Sequence, residues 1–145
     1  MLKVKIADSK EEVERIIALR VKILRQPWNQ PAETATDTME SKSINAYIED
    51  ENKNVVACGR LQENENKAGQ IRFMAVDNNQ QGKGLGKLIV NALETEAKKL
   101  NLNTIELQAR ENAVEFYKSC GYAIKEKSFL LWGIIQHYLM EKALR

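Results

Sequence analysis

The sequence predicts an α/β fold: a mixed sheet with helices packed on its faces, in one domain spanning residues 1–145. Three observations carry this reading. Apolar residues alternate in several short runs and recur at helical spacing in others. The order of those runs is strand, helix, loop or broken helix, then three strands in succession, then helix, strand, helix and two strands. A doubly wound dinucleotide fold would instead alternate strand and helix throughout. Finally, a glycine-studded loop, Gln81-Gly82-Lys83-Gly84-Leu85-Gly86, joins the third of the successive strands to a helix.

Taken in order, Leu2, Val4 and Ile6 alternate with lysines and read as a first strand. Ser9 and Glu12 form a capping-box pair ahead of a helical run whose stripe is Val13, Ile17, Arg20 and Leu24. An arginine on that stripe is unusual, because burying its charge unpaired is expensive. The stretch from Gln26 to Glu40 holds both prolines and reads as a loop or broken helix. Ile44 to Ile48 and Asn54 to Leu61 are strands joined by the turn Asp50-Glu51-Asn52-Lys53. A polar turn, Asn64 to Gly69, leads into the strand Gln70 to Val76. Beyond the glycine loop, Leu85, Leu88, Ile89, Ala92, Ala97 and Leu100 give helical spacing through Lys87 to Leu100. Thr104 to Ala109 is a strand and Glu111 to Ser119 a short helix ending near Gly121. Tyr122 to Lys127 and Ile134 to Met140 are the last strands.

Composition excludes several classes. At 43% hydrophobic and 29% charged residues with a net charge of +2, the chain is an ordinary globular sequence with no basic face for nucleic acid. Cys58 and Cys120 lack metal-ligand spacing and read as small buried thiols, and no metal is expected. The first fourteen residues carry no apolar leader, and the run Phe129 to Ile135 is too short to span a bilayer. A cytoplasmic protein without membrane partners is expected, as monomer or homodimer, with Trp132 and the last strands as a candidate dimer face.

The glycine loop carries the functional signal. Dense glycines let the backbone approach a ligand and aim successive N–H groups at one point. At a helix N-terminus the natural guest is a pyrophosphate. A Walker loop does not fit, and in a G-x-G-x-x-G fingerprint begun at Gly82 the third glycine would fall at Lys87. What remains is Q-x-x-G-x-G at a strand-to-helix junction.

Three segments together resemble the GNAT family of N-acetyltransferases: the strand Ile71 to Val76, the loop Gln81 to Gly86, and Ala113-Val114-Glu115-Phe116-Tyr117-Lys118-Ser119-Cys120-Gly121-Tyr122. The resemblance implies a central mixed, mostly antiparallel sheet flanked by helices, and acetyl-CoA as co-substrate. It implies that Met74, Ala75 and Val76 and the loop residues Gln81, Gly82, Lys83, Gly84, Leu85, Gly86 and Lys87 hold the coenzyme. A finer similarity is to the small glyphosate N-acetyltransferase subgroup, through Leu19-Arg20, Ile23-Leu24-Arg25, Gln70-Ile71-Arg72, Ala109-Arg110 and His137-Tyr138-Leu139-Met140. That similarity implies Arg20, Arg72 and Arg110 around an anionic amine and His137 as the base. The family pattern implies Tyr117 as the acid that protonates the departing thiolate. Arg110 departs from the general family, where an asparagine is common.

From the residues alone, His137 is the only histidine and is suited to deprotonating an amine near neutral pH, yet its neighbours also fit a hydrogen-bonded core histidine. Tyr117 beside Phe116 equally fits a packing role. Arg72 on a central strand, Arg110 at the end of the next and Arg20 on the stripe of the first helix point to a cation cluster for carboxylate, phosphate or phosphonate. The expected activity is acetyl transfer to a small anionic amine by direct attack. The alternatives are transfer to a protein or peptide amine, or a coenzyme-binding module without turnover. Glu106 acting through water is the substitute base, and the aromatic run Phe129 to Trp132 is a candidate loop closing over a small ligand.

Overall fold

The structure is a computed structural model that describes residues 2–144. Ser9 starts the first helix as read from the sequence: its Oγ accepts from the Glu12 N–H at 3.2 Å, while Glu12 Oε1 accepts from the Asp8 N–H at 3.0 Å. This helix, α1, spans Lys10–Arg20 and follows strand β1, Val4–Ile6. Its buried residues are Ile16, Leu19 and Arg20, so the stripe is rotated from the one the sequence suggested. The helix does not stop at Arg20. It continues through a π-turn, Val21–Arg25, and a 3-10 turn, Gln26–Trp28, ended by Asn29 at φ +54. The segment expected as a loop or broken helix is thus a chain of short helical turns reaching Lys42.

Strands β2 (Ile44–Glu49), β3 (Val55–Glu63) and β4 (Ala68–Val76) form an antiparallel meander. Helix α2 (Leu85–Lys99) then crosses to β5 (Thr104–Arg110), and α3 (Val114–Ser119) leads to the hairpin of β6 (Ala123–Leu131) and β7 (Ile135–Ala143). Among the described residues seven strands lie in one sheet in the order β1-β2-β3-β4-β5-β7-β6, and only the β4–β5 pair is parallel. The mixed, mostly antiparallel sheet flanked by helices is as expected. Helix α2 buries Leu85, Ile89, Val90, Leu93 and Ala97 in the main core. Gly59 permits that approach: a Cβ there would stand 2.5 Å from Met74 Sδ and 2.7 Å from Ile89 Cγ2.

The hairpin differs from the expectation. β6 runs on to Leu131, so Phe129, Leu130 and Leu131 are strand, not a closing loop. β6 is the outermost strand and is exposed along nearly its whole length, so no buried face imposes an alternating pattern on it.

One departure from regularity positions the site. β4 and β5 pair only from Ala68–Thr104 to Ile71–Leu107. Beyond that point β4 stays with β3 as far as Val76, while β5 stays with β7 as far as Arg110–His137. The sheet therefore splits into two halves with a wedge-shaped gap between them, floored by the ends of a parallel pair. Ligands commonly enter α/β sheets at such points.

Candidate active site

The β4 wall of the wedge carries a bulge. Pairing with β3 jumps from Cys58–Ala75 to Arg60–Arg72, so Phe73 and Met74 together face Gly59, and Phe73 takes φ +56. A phenylalanine in the left-handed region is held there by its surroundings. Its ring lies 4.6 Å from the Arg20 guanidinium carbon, 4.6 Å from that of Arg72 and 4.9 Å from that of Arg60. Cations over the ring face are attracted by its quadrupole.

Two clefts meet in the gap. The first, about 370 Å³, is lined by Arg25, Arg72, Phe73, Arg110, Tyr117 and His137 among others. His137 is 5% exposed and sits directly across the strand pair from Arg110. Its Nδ1 lies 3.0 Å from the Ile135 carbonyl, which can only accept, so Nδ1 carries the proton and Nε2 keeps its lone pair. Burial first, and the Arg110 charge second, lower its pKa below the usual imidazole value, opposed by the Ile135 carbonyl. The imidazole is therefore neutral near neutral pH, as a base must be.

The arginines of this cleft are unequal. Arg72 Nη1 donates to Asp37 Oδ2 at 2.8 Å, and Arg60 grips the same carboxylate at 2.8 and 3.0 Å. Arg25, only 7% exposed, donates to the Thr34 hydroxyl at 2.6 Å and to the Thr34 and Leu24 carbonyls. Arg110 donates to the Leu24 carbonyl at 3.3 Å. Neither Arg25 nor Arg110 has a carboxylate partner among the described residues. Burial, together with Arg110, Arg72 and Arg20, lowers the Arg25 pKa to about 10, and burial lowers that of Arg110. Both remain charged at neutral pH.

The second cleft, about 850 Å³, is lined by Met74, Ala75, Val76 and the glycine loop on one side and by Asn112, Phe116 and Tyr117 on the other. Gly82 and Gly84 take φ +81 and +79, with open space where a side chain would stand. Gly84 caps α2, so the first amides of that helix face outward. No strand pairs with β4 beyond Ile71 on the β5 side, leaving the edge at Met74 to Val76 open to an amide-bearing chain. Residues from the loop and strand thus fit a pyrophosphate with an extended amide arm. Leu24, Met74, Arg110, Ala113 and Tyr117 line both clefts and mark where they join. Tyr117 is 7% exposed, and burial raises its pKa well above the usual phenol value.

Other sequence-predicted residues lie elsewhere. Arg20 does not line either cleft. It is fully buried and forks onto Glu40 at 2.6 and 3.2 Å, with further bonds to the Ala35 carbonyl and Asn45. An unpaired buried guanidinium would be costly, and these partners offset most of that cost, leaving only Nε without a partner among the described residues. Lys83 donates to Gln80 at 3.2 Å and lines neither cleft, whereas Lys87 lines the second. Glu106, the substitute base, lines neither cleft; it borders a separate surface hollow and accepts from Asn64 at 3.3 Å. Arg25 was given no role from sequence. It sits five positions past Arg20, and only the π-turn brings it into the cleft wall.

The strand split, the bulge and the capped glycine loop coincide with a match to the acetyltransferase (GNAT) family model over residues 13–122. The chain belongs to the GNAT family. It is an N-acetyltransferase by that membership, and the uncharacterized N-acetyltransferase YjcF of Bacillus subtilis (strain 168) is 30% identical to it over 141 residues, covering 97% of this chain and 99% of the relative. In structure the GNAT chain is similar to a provisionally named N-acetyltransferase from Lactobacillus plantarum, at TM-score 0.88 and 18% identity, covering 99% of each chain. It is also similar to an aminoglycoside 6'-N-acetyltransferase complexed with coenzyme A, at TM-score 0.78 and 17% identity, covering 97% of each. Among the described residues no helix is long and apolar enough to cross a membrane, and no group of His, Cys, Asp and Glu could hold a metal ion.

Proposed function

We propose that this GNAT enzyme moves the acetyl group of acetyl-CoA to the amine of a small molecule bearing a carboxylate, phosphate or phosphonate. The observation that carries the reading is the charge of the acceptor cleft: Arg25 and Arg110 lack carboxylate partners among the described residues, and Arg72 shares one carboxylate with Arg60. Cations left in that state, Arg25 buried and Arg110 part-buried, favour an anionic guest. The coenzyme-A complex of the similar aminoglycoside acetyltransferase supports placing the coenzyme in the second cleft.

In this mechanism the two joined clefts bring amine and thioester together. The arginines hold the anionic end of the acceptor and disfavour its ammonium form. His137 Nε2 takes the proton from the ammonium. The free amine attacks the acetyl carbonyl carbon, forming the N–C bond, and the role of stabilising the oxyanion falls to the amides at Met74 and Val76, which line the cleft. The C–S bond then breaks, the Tyr117 hydroxyl gives its proton to the departing thiolate, and the nitrogen sheds its second proton as the amide forms, which restores the Tyr117 phenol.

Thiolate release from acetyl-CoA is measured across amino acids, amino-phosphonates, neutral amines and peptide N-termini. Turnover by small anionic amines well above the rest is expected. Preference for peptides or neutral amines overturns the acceptor class, and no turnover with tight coenzyme binding indicates a binding module instead.

A further inference from the structure

Trp132 holds a backbone conformation that does not suit it. Its φ is +53, and Gly133 follows at +72. The Ile134 N–H donates to the Leu131 carbonyl at 3.0 Å, so these two residues are the centre of the tight turn between β6 and β7. Positive φ at both central positions is the pattern of a type I′ turn, which asparagine-glycine fits and a bulky residue does not. Backbone strain of this kind persists where neighbouring structure holds it, commonly beside functional sites.

The neighbours are the two carboxylate-free guanidiniums. The Arg25 guanidinium carbon lies 5.3 Å from the Trp132 ring centroid, and that of Arg110 lies 5.9 Å away. Both are within cation–π range of the best aromatic for that contact. Trp28, on the turns after α1, approaches Arg110 from the coenzyme side at 5.9 Å, so two indoles bracket one guanidinium. Trp132 itself lines neither cleft and so reaches a bound molecule only through the arginines.

We infer that Trp132 is a positioning residue for acceptor recognition, its indole face holding Arg25 and Arg110 aimed across the cleft in the absence of a counter-ion. The inference rests on the anionic-acceptor reading above. Aromatic faces suit this task because they attract the guanidinium without neutralising it, whereas a carboxylate there would compete with the acceptor. The strained turn is the means by which the indole is brought under both side chains.

Trp132→Asn separates this role from ordinary packing, since it relaxes the turn while removing the indole. The first readout needs no acceptor: phenylglyoxal labelling of the free enzyme, with sites and rates read by mass spectrometry, alongside the thermal midpoint. The expected result is faster labelling at Arg25 and Arg110, an unchanged rate at Arg72, and a midpoint equal to or above that of the unaltered protein. With anionic amines the KM should rise about tenfold with little change in the KM for acetyl-CoA, and Trp132→Phe should restore most of it. A lowered midpoint with unchanged labelling overturns the inference, because Trp132 would then be a packing residue. If the unaltered enzyme shows no preference for anionic amines, the acceptor class fails, and the labelling pattern alone decides the assignment of Trp132.

Discussion

Phe129 stacks on His137 with ring centroids 4.5 Å apart and planes 12° from parallel. The contact covers one face of the imidazole and contributes to the burial that lowers its pKa. The sign follows directly. With His137 as the proposed base, acting unprotonated, activity should be full above the depressed pKa and lost as pH falls through it. The acid limb of kcat/KM should lie below about 6.5, the unperturbed histidine value. Phe129→Ala should move that limb upward towards it. His137→Ala should lower kcat by about 10²–10⁴ while coenzyme binding is kept. An acid limb that survives His137→Ala unchanged would assign the base elsewhere.

Arg20 and Glu40 form the buried counterpart of the cleft arginines. Burial raises the Glu40 pKa, but the bonds from Arg20, Asn45 and Thr36 outweigh it and hold the carboxyl at about 2. Removing Arg20 leaves Glu40 only the longer bridge to Arg60, at 3.3 Å. Arg20→Met should lower unfolding free energy in urea by roughly 3–5 kcal/mol. Any fall in activity should track the folded fraction, with acceptor KM unaltered in the protein that remains folded. A KM rise at full stability would instead put Arg20 at the substrate.

The difference between Arg20 and Arg25 shows how far the sequence can be read. The succession of elements along the chain, the glycine loop and the α1 cap were legible because each rests on local chemistry: alternation, positive φ, a hydroxyl three residues before a carboxylate. His137, Tyr117, Arg72 and Arg110 were placed by their ends of strands or by family likeness, and the structure brings them to one gap. Arg20 was assigned to that gap by the subgroup similarity and because it interrupts an apolar stripe, yet its partners, Glu40 and Asn45, come from segments whose path no periodicity reveals. Arg25 was passed over because a regular helix would not direct it there; the extra residue of the π-turn does. The end of β6 was missed for a different reason, since an exposed edge strand carries no hydrophobic alternation to read.

The glycines of the loop separate conformation from space. At Gly84 nothing lies within 4 Å of a built Cβ, but φ is +79, so Gly84→Ala acts on the backbone alone. It should cost about 1–2 kcal/mol and raise the KM for acetyl-CoA as the amides turn away. At Gly86 φ is not positive, yet a Cβ would meet Phe116 Cζ at 2.9 Å. Gly86→Ala should therefore displace Phe116, and Gly86→Ala combined with Phe116→Leu should recover part of the lost coenzyme affinity. Equal KM for acetyl-CoA in Gly84→Ala and the unaltered enzyme, by steady-state kinetics, would remove the loop from the coenzyme site.

The acceptor arginines make a graded prediction, because they differ in what already neutralises them. Among the described residues Arg25 and Arg110 meet only neutral oxygens and aromatic faces, so each has a full charge to offer an incoming anion. Arg72 already donates to Asp37, and a bound anion must share it with that carboxylate. Replacing a charged donor to a bound anion removes about 1.5–3 kcal/mol, a rise in KM of about 10- to 150-fold. Arg25→Met and Arg110→Met should fall in that range for an anionic amine, and Arg72→Met should fall below it. A neutral amine of the same shape should show no such rise with any of the three. Steady-state KM values for the matched pair of amines give the answer: equal effects on both would mean that the arginines shape the cleft without recognising charge.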